Sequence, residues 1–371
     1  MKELLERIEE IESKTSILEP DTKTRAQYHQ LILEFADQFI NHIDEGRAFQ
    51  KLEGALKGLD IDGQKNEFKA LIDVYQKQVL PYGINPASGG HIGYIPGGGI
   101  YASALADYIA DVSNEYAGMY FGSPGAVTIE NECIEWTRKL FGFPERTIGN
   151  ICSGGSIANL IALTAARDRH KVKEEKIGQA VIYMSEQVHH CIHKALRIIG
   201  LGDIMIRHIA LDDRSRMIPE HLEAQIQKDK IAGFTPFLII ASAGTTDTGA
   251  IDPMDDIADI AEREQMWFHV DGAYGGFFIL VDEKKSLFKG IERADSLVVD
   301  PHKSLFLPYG TGIVLVKDLE AVMHSHHYVA NYMQDAYDES LPINPADVSP
   351  ELTKHFRGLR LWFPLKMYGY E

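Results

Sequence analysis

The sequence predicts an α/β protein: a mainly parallel sheet covered by helices on both faces, preceded by a helical segment. Three observations carry this. After about residue 150, short apolar runs recur: Val181-Ile182-Tyr183-Met184, Phe237-Leu238-Ile239-Ile240, Trp267-Phe268-His269-Val270, Leu297-Val298-Val299 and Ile313-Val314-Leu315-Val316. Stretches of helical pattern such as Ile157–Arg169, ahead of the first run, and Met254–Glu264, between two of them, alternate with these runs. Strands that are apolar along their whole length are buried on both sides, as in parallel sheets wrapped by helices. Thirdly, residues 1 to about 80 place apolar side chains at helical spacing: Leu4, Leu5, Ile8 and Ile11, then Leu31, Leu33, Phe35, Phe39 and Ile40.

These patterns divide the chain into a helical segment, 1–80, and a large α/β domain, 81–371. The Gly/Pro-rich stretch from Pro81 to Gly99 must be loop, and it could let a ligand approach the backbone closely. The 371 residues suffice for about two domains, and 45% hydrophobic with 25% charged residues fits a soluble globular protein. No run approaches the roughly 18 apolar residues of a membrane span. Met1 to Lys14 is rich in Glu and Lys and has no apolar signal core, so no secretory signal is expected. Cys133, Cys152 and Cys191 cannot make a disulfide framework, which points to a reducing cytoplasm. A net charge of −17 disfavours nucleic acid and anionic membranes as partners. It does not exclude an acidic small-molecule substrate, because local site charge outweighs the average.

In sheets of this kind ligands bind beyond the carboxyl ends of strands, so the polar residues there matter most. Ser153-Gly154-Gly155-Ser156 directly precedes the helical run Ile157–Arg169. A Gly-rich turn feeding a helix offers free amides and the positive end of the helix dipole, a setting for phosphate; the alternative is a plain loop with a Ser or Gly cap. His269-Val270-Asp271-Gly272-Ala273-Tyr274 ends a strand in a carboxylate followed by small residues. Asp271 could hydrogen-bond a protonated pyridine nitrogen, with Ala273 leaving room for a flat ring, or could simply cap the turn. Val299-Asp300-Pro301-His302-Lys303 delivers a Lys after another strand. A buried Lys can form an imine with an aldehyde; a surface Lys would do nothing of the kind.

Phosphate cup, strand-end Asp, then Lys 32 positions later (303 − 271) is the order of a fold-type I enzyme dependent on pyridoxal 5'-phosphate (PLP). Val299 to Lys303 resembles the cofactor-lysine motif of the group II amino-acid decarboxylases. His269 to Tyr274 resembles their H-V-D-A-A-Y segment, with Gly272 in place of one Ala. The resemblance runs from about residue 80 to the end and more weakly over the N-terminal helices. It implies a PLP-dependent transferase fold and a small-molecule amino-acid substrate. It also implies a homodimer whose N-terminal helices clasp the partner.

Further roles follow from the resemblance alone. Lys303 would carry the cofactor, with Asp271 at the ring nitrogen and Gly155 and Ser156 at the phosphate. Ser185 to His189 resembles the family's S-x-x-x-H segment, so His189 would stack over the ring and guide the substrate carboxylate. Gly244-Thr245-Thr246 places Thr246 near the 3′ oxygen, and His302 belongs near the phosphate and imine. Asp300 stands where the family often has Asn or Asp. Tyr332 resembles the loop Tyr that protonates the α-carbon, and the polar, Pro-bearing stretch 332–351 is expected to be a lid. A small C-terminal domain is expected to be missing or truncated after Glu371.

His189 and His193 also stand at i, i+4, a metal-binding spacing, but no H-E-x-x-H is present and cofactor stacking is the reading adopted. The reaction expected is decarboxylation of an L-amino acid to the amine. In the resembling family, aromatic-specific members tend to carry a Phe where this chain has Ile95 beside Tyr94, whereas a pocket widened by Gly97 to Gly99 suits an aromatic or otherwise bulky side chain; diaminobutyrate and acidic substrates stay open. An aldehyde synthase, another carbon–carbon lyase and a non-catalytic scaffold on the same fold are the alternatives.

Overall fold

The computed structural model describes residues 1–93, 95, 97–327 and 341–370, which form two compact units, Met1–Gly97 and Gly98–Glu371. The first holds α1 (Lys2–Thr15), α2 (Thr22–Asn41), a two-stranded antiparallel ribbon of β1 (Phe49–Gln50) and β2 (Gly83–Ile84), and α3 (Phe68–Val74). Asp21 caps α2 by accepting the Thr24 amide at 2.8 Å. Tyr28 and Phe68 pack at 4.3 Å between ring centres, and Phe35 meets Tyr75 edge-on. Neither α1 nor α2 buries a residue.

The second unit begins with α4 (Tyr101–Ser113) and α5 (Pro124–Leu140) and is built on a seven-stranded sheet. In chain order its elements are β3 (Ile148–Cys152), α6 (Gly155–Arg169), β4 (Ala180–Met184), α7 (Cys191–Ile198), β5 (Met205–His208), α8 (Pro219–Ile231), β6 (Thr235–Ser242) and α9 (Met254–Glu264). There follow β7 (Trp267–Asp271), the short α10 (Asp282–Lys285), β8 (Ser296–Val299), the short α11 (Pro301–Ser304), β9 (Gly312–Val316), α12 (Leu319–His326) and α13 (Gly358–Tyr368).

All five apolar runs read as strands are strands, and the two stretches named as helices with them are helices. The sheet order is β3-β9-β8-β7-β6-β4-β5. From β8 to β5 every pairing is parallel, while β9 runs antiparallel to both its neighbours. β3 therefore points the same way as β8. The carboxyl ends of β3, β8, β7, β6, β4 and β5 lie along one edge.

Alternate residues of each strand feed two separate cores, which is why the runs are apolar throughout. Tyr183, Ile239, Phe268 and Leu297 face α8 and α9; Ile182, Leu238, Ile240 and Val298 face α6, α7 and α12. Helix α6 is buried over most of its surface, and its alanines (Ala158, Ala162, Ala165, Ala166) let it lie close to the sheet.

The stretch expected to be a lid is different at its described end. Asn344, Pro345, Asp347 and Val348 are buried. Asn344 Oδ1 accepts the Tyr120 amide at 2.8 Å, and Asn150 Nδ2 donates to the Pro345 carbonyl at 2.8 Å. Lys354, fully buried, donates to the Ile151 carbonyl and pairs with Glu130 at 2.6 Å. These contacts anchor the segment after residue 341 to β3 and α5, and composition alone did not reveal them.

Candidate active site

Five strand ends deliver the residues singled out above to one edge of the sheet. β3 leads into Gly154-Gly155, β4 into Ser185–His189, β6 into Gly244–Thr246, β7 ends on Asp271, and β8 leads into Asp300–Lys303.

Gly154 ends the β3 turn at φ 137°, a conformation that side chains resist. It is also the N-cap of α6, and no side chain caps that helix. The Gly-cap alternative is therefore met at Gly154, while Ser156 does not cap the helix: its hydroxyl stands exposed at the first turn, beside amides that have no intrahelical acceptor. A Cβ on Gly155 would lie 2.8 Å from Asp300 Oδ2 and 3.2 Å from Ala273 Cβ. One on Gly312 would lie 2.6 Å from the Gly154 backbone. Glycine is required at both places for the loops to meet.

Lys303 is not a surface lysine. Its ammonium sits 2.9 Å from Asp300 Oδ2, and the Asp300 side chain is buried. The other oxygen, Asp300 Oδ1, is buried with no hydrogen-bond partner among the described residues. His302 Nδ1 donates to the Thr311 carbonyl at 2.6 Å, which leaves Nε2 facing Asp300 at 3.9 Å. The Asp300 amide donates to the Ala273 carbonyl, tying the β8 loop to the β7 loop.

Asp271 is buried, and its Oδ1 accepts the Ala273 amide at 3.1 Å. The turn-capping alternative is thus correct for one oxygen. The other, Oδ2, accepts from Asn159 Nδ2 at 3.4 Å. His189 is half-buried, and its Nδ1 accepts the Cys191 amide at 3.3 Å. Burial, reinforced by the neighbouring His190, pushes the His189 imidazole below its ordinary value, so its single proton sits on Nε2 at neutral pH. Burial pushes the Cys152 and Cys191 thiols up to about 12, which disqualifies both as nucleophiles. Thr246 stands exposed two positions beyond Gly244, where the β6 loop crosses Gly275 at backbone distance.

Tyr332 and Tyr94 lie outside the described residues. Gly99 does not widen a pocket: a Cβ there would meet the Pro308 ring at 3.0 Å, so the glycine serves close packing. Among the buried polar residues to which the sequence assigned no role are Asn159, Ser296 and His269, which lie next to Asp271 or to one another. Their signal was a polar side chain inside an otherwise apolar helix or strand.

The model of the pyridoxal-dependent decarboxylase conserved domain matches residues 55–371. The chain belongs to the pyridoxal-dependent decarboxylase family. An aromatic-L-amino-acid decarboxylase of Bacillus atrophaeus is 36% identical over 75% of this chain and 58% of its own length. The cysteine sulfinic acid decarboxylase of Mus musculus is 34% identical over 73% of this chain and 56% of its own. The chain therefore spans a little over half the length of these relatives. The crystal structure of Oryza sativa TDC with PLP and tryptamine superposes with a TM-score of 0.88 at 25% identity, covering 94% of this chain and 75% of that one.

Pyridoxal phosphate is the cofactor that membership of this family implies, and the residues present fit it. An uncapped fifteen-residue helix offers amides to a phosphate. The orphaned Asp300 Oδ1 and the glycines crowded around it mark a cradle built for close approach. A Lys and a carboxylate stand on adjacent strand ends, as an aldehyde and a ring nitrogen require. No helix among the described residues is long and apolar enough to cross a membrane.

Proposed function

We propose that this protein catalyses PLP-dependent decarboxylation of an L-amino acid to its amine and CO₂. The observation that carries the reading is the convergence of Gly155, Ala273, Asp300, His302 and Lys303 around one point of the sheet edge, with Asp271 one strand away. Lys303 is assigned to hold the cofactor's aldehyde carbon, and Gly155 and Ser156 its phosphate. Asp271 is assigned to the ring nitrogen, Thr246 to the 3′ oxygen, and Ala273 to one ring face. When bound, the cofactor supplies an electron sink for the pair left behind as the carboxylate departs.

The chain's own groups do the rest. His189, with Nδ1 accepting the Cys191 amide, would cover the other ring face and offer its Nε2–H to the substrate carboxylate. His302, held by the Thr311 carbonyl, presents Nε2 near Asp300 and Lys303. Lys303, beside the Asp300 carboxylate, would also serve to hold or move a proton at the substrate nitrogen. Tyr332 is assigned to return a proton to the α-carbon, on sequence resemblance alone. Similarity to the Bacillus atrophaeus enzyme supports an aromatic substrate, while similarity to the mouse enzyme keeps acidic substrates in the test. A phenylacetaldehyde synthase of Arabidopsis thaliana is 27% identical over 96% of this chain and 76% of its own, so aldehyde is a second possible product.

A homodimer is proposed as well. It is supported by the apolar stripe of α1, where Leu4, Leu5, Ile8 and Ile11 are each at least half exposed. The reaction is tested by measuring CO₂ release and amine from a panel of aromatic, acidic and basic L-amino acids with added pyridoxal phosphate. Amine in stoichiometric yield from one class supports the reading. No CO₂ from any of them, with cofactor demonstrably bound, would leave the scaffold alternative standing.

A further inference from the structure

Five polar side chains form a continuous buried file beneath the proposed site. Trp267 Nε1 lies 2.9 Å from Ser296 Oγ. Ser296 Oγ is 2.8 Å from His269 Nδ1, and His269 Nε2 is 2.8 Å from Asn159 Oδ1. Asn159 Nδ2 then reaches Asp271 Oδ2 at 3.4 Å, with Cys191 Sγ at 3.5 Å from the same nitrogen. Asn159, His269 and Ser296 have no solvent exposure at all.

The file has a single direction. The Asp271 carboxylate can only accept, so the Asn159 NH₂ faces it and Asn159 Oδ1 is left to accept from His269 Nε2–H. With its one hydrogen on Nε2, the His269 ring accepts the Ser296 hydroxyl proton on Nδ1, and Ser296 Oγ accepts from the donor-only Trp267 indole. Burial pushes the His269 imidazole down to about 4, so it holds one proton, as this order requires. Every donor aims toward the carboxylate. The file joins neighbouring strands β7 and β8 to α6, and Asn159 sits one turn beyond Gly155.

Such an arrangement is expensive as mere filling, because each buried polar group must be satisfied where apolar side chains would pack freely. We propose that Asn159, His269, Ser296 and Trp267 are positioning residues that fix the Asp271 carboxylate in the orientation needed to meet the cofactor's ring nitrogen. The inference rests on the assignment of Asp271 made above. It also makes α6 a common ruler, holding the phosphate end at Gly155 and the carboxylate through Asn159.

The test compares two cofactors on the apoprotein: pyridoxal phosphate and its 1-deaza analogue, in which carbon replaces the ring nitrogen. Dissociation constants are measured for wild type, Asn159→Leu, Ser296→Ala, His269→Gln and Asp271→Ala, with folding checked by circular dichroism. Asn159→Leu should weaken pyridoxal phosphate by about tenfold, the scale seen when an outer-shell partner is lost, and leave the analogue unchanged. Ser296→Ala should show the same selectivity at smaller size and decides the matter if Asn159→Leu does not fold. His269→Gln, which keeps a donor toward Asn159, should bind both nearly as wild type does. Equal loss for both cofactors in Asn159→Leu and Ser296→Ala, or no loss for either, would overturn the relay. If Asp271→Ala is itself unselective, the assignment of Asp271 fails and the relay falls with it. If only Asp271→Ala is selective, the relay alone falls.

Discussion

His269 shows how one residue's chemistry becomes a property of the whole protein. Its imidazole is pushed by burial from 6.5 to about 4. Between those values the unfolded chain takes up a proton that the folded one refuses, so stability rises with pH there. The contribution is complete above 6.5 and is lost as pH falls toward 4, on the order of 3 kcal/mol in all. His269→Gln should therefore flatten the fall in unfolding free energy between pH 6.5 and 4, measured by denaturant titration at several pH values. His326, pushed down to about 4 as well, acts alike in both proteins and drops out of the comparison. An unchanged slope would mean that the ring is not held neutral. Tyr332 is judged differently, through product. If it protonates the α-carbon, Tyr332→Phe should still release CO₂ while its product under air shifts from amine toward aldehyde and ammonia. Amine as the sole product, at unchanged rate, would return Tyr332 to a packing role.

At the scale of elements, the ends of strands explain both what the sequence disclosed and what it concealed. The five apolar runs were legible because central strands are buried on both faces. Of the seven strands of the large sheet, the two not foreseen, β3 and β5, are its edges; β1 and β2 were not foreseen either, and β2 falls in the Gly/Pro-rich stretch expected to be loop. Ile148-Gly149-Asn150-Ile151-Cys152 carries Gly and Asn, and Met205–His208 is only part-buried. The reversed direction of β9 was hidden as well, since a run of apolar residues does not record polarity. Its cause is the connection from β8, which contains only the four-residue α11 and cannot carry the chain back across the sheet. The candidate site was legible where residues end a strand and stand in a motif: Asp271, Lys303, Gly155. It was not legible for Asn159 and Ser296, which become partners only when α6, β7 and β8 are brought together. The start of α6 allows a sharp test. Gly155→Ala puts a methyl group 2.8 Å from Asp300 Oδ2. It should cost about 1–3 kcal/mol, as overpacking does, and weaken pyridoxal phosphate binding together with stability. Wild-type stability and affinity in that variant, by thermal melt and cofactor titration, would contradict the close fit described.

At the scale of the molecule, the two units make different use of their apolar residues. The second buries its own in two cores flanking the sheet. The first leaves α1 and α2 without a single buried residue. An exposed stripe of this length is stabilised when a partner covers it, and a second copy of the chain is the partner proposed. Light scattering at micromolar concentration should give a dimer for wild type and a monomer for Leu5→Glu/Ile8→Glu. A wild-type monomer would contradict the proposal. The proposed chemistry, however, rests on one covalent attachment. The protein, loaded with pyridoxal phosphate, treated with borohydride and digested, should yield a single pyridoxyl-bearing peptide by mass spectrometry. The modified residue should be Lys303, and Lys303→Ala should yield none. A pyridoxyl group on any other lysine, or none on the wild-type protein, would contradict the site described here.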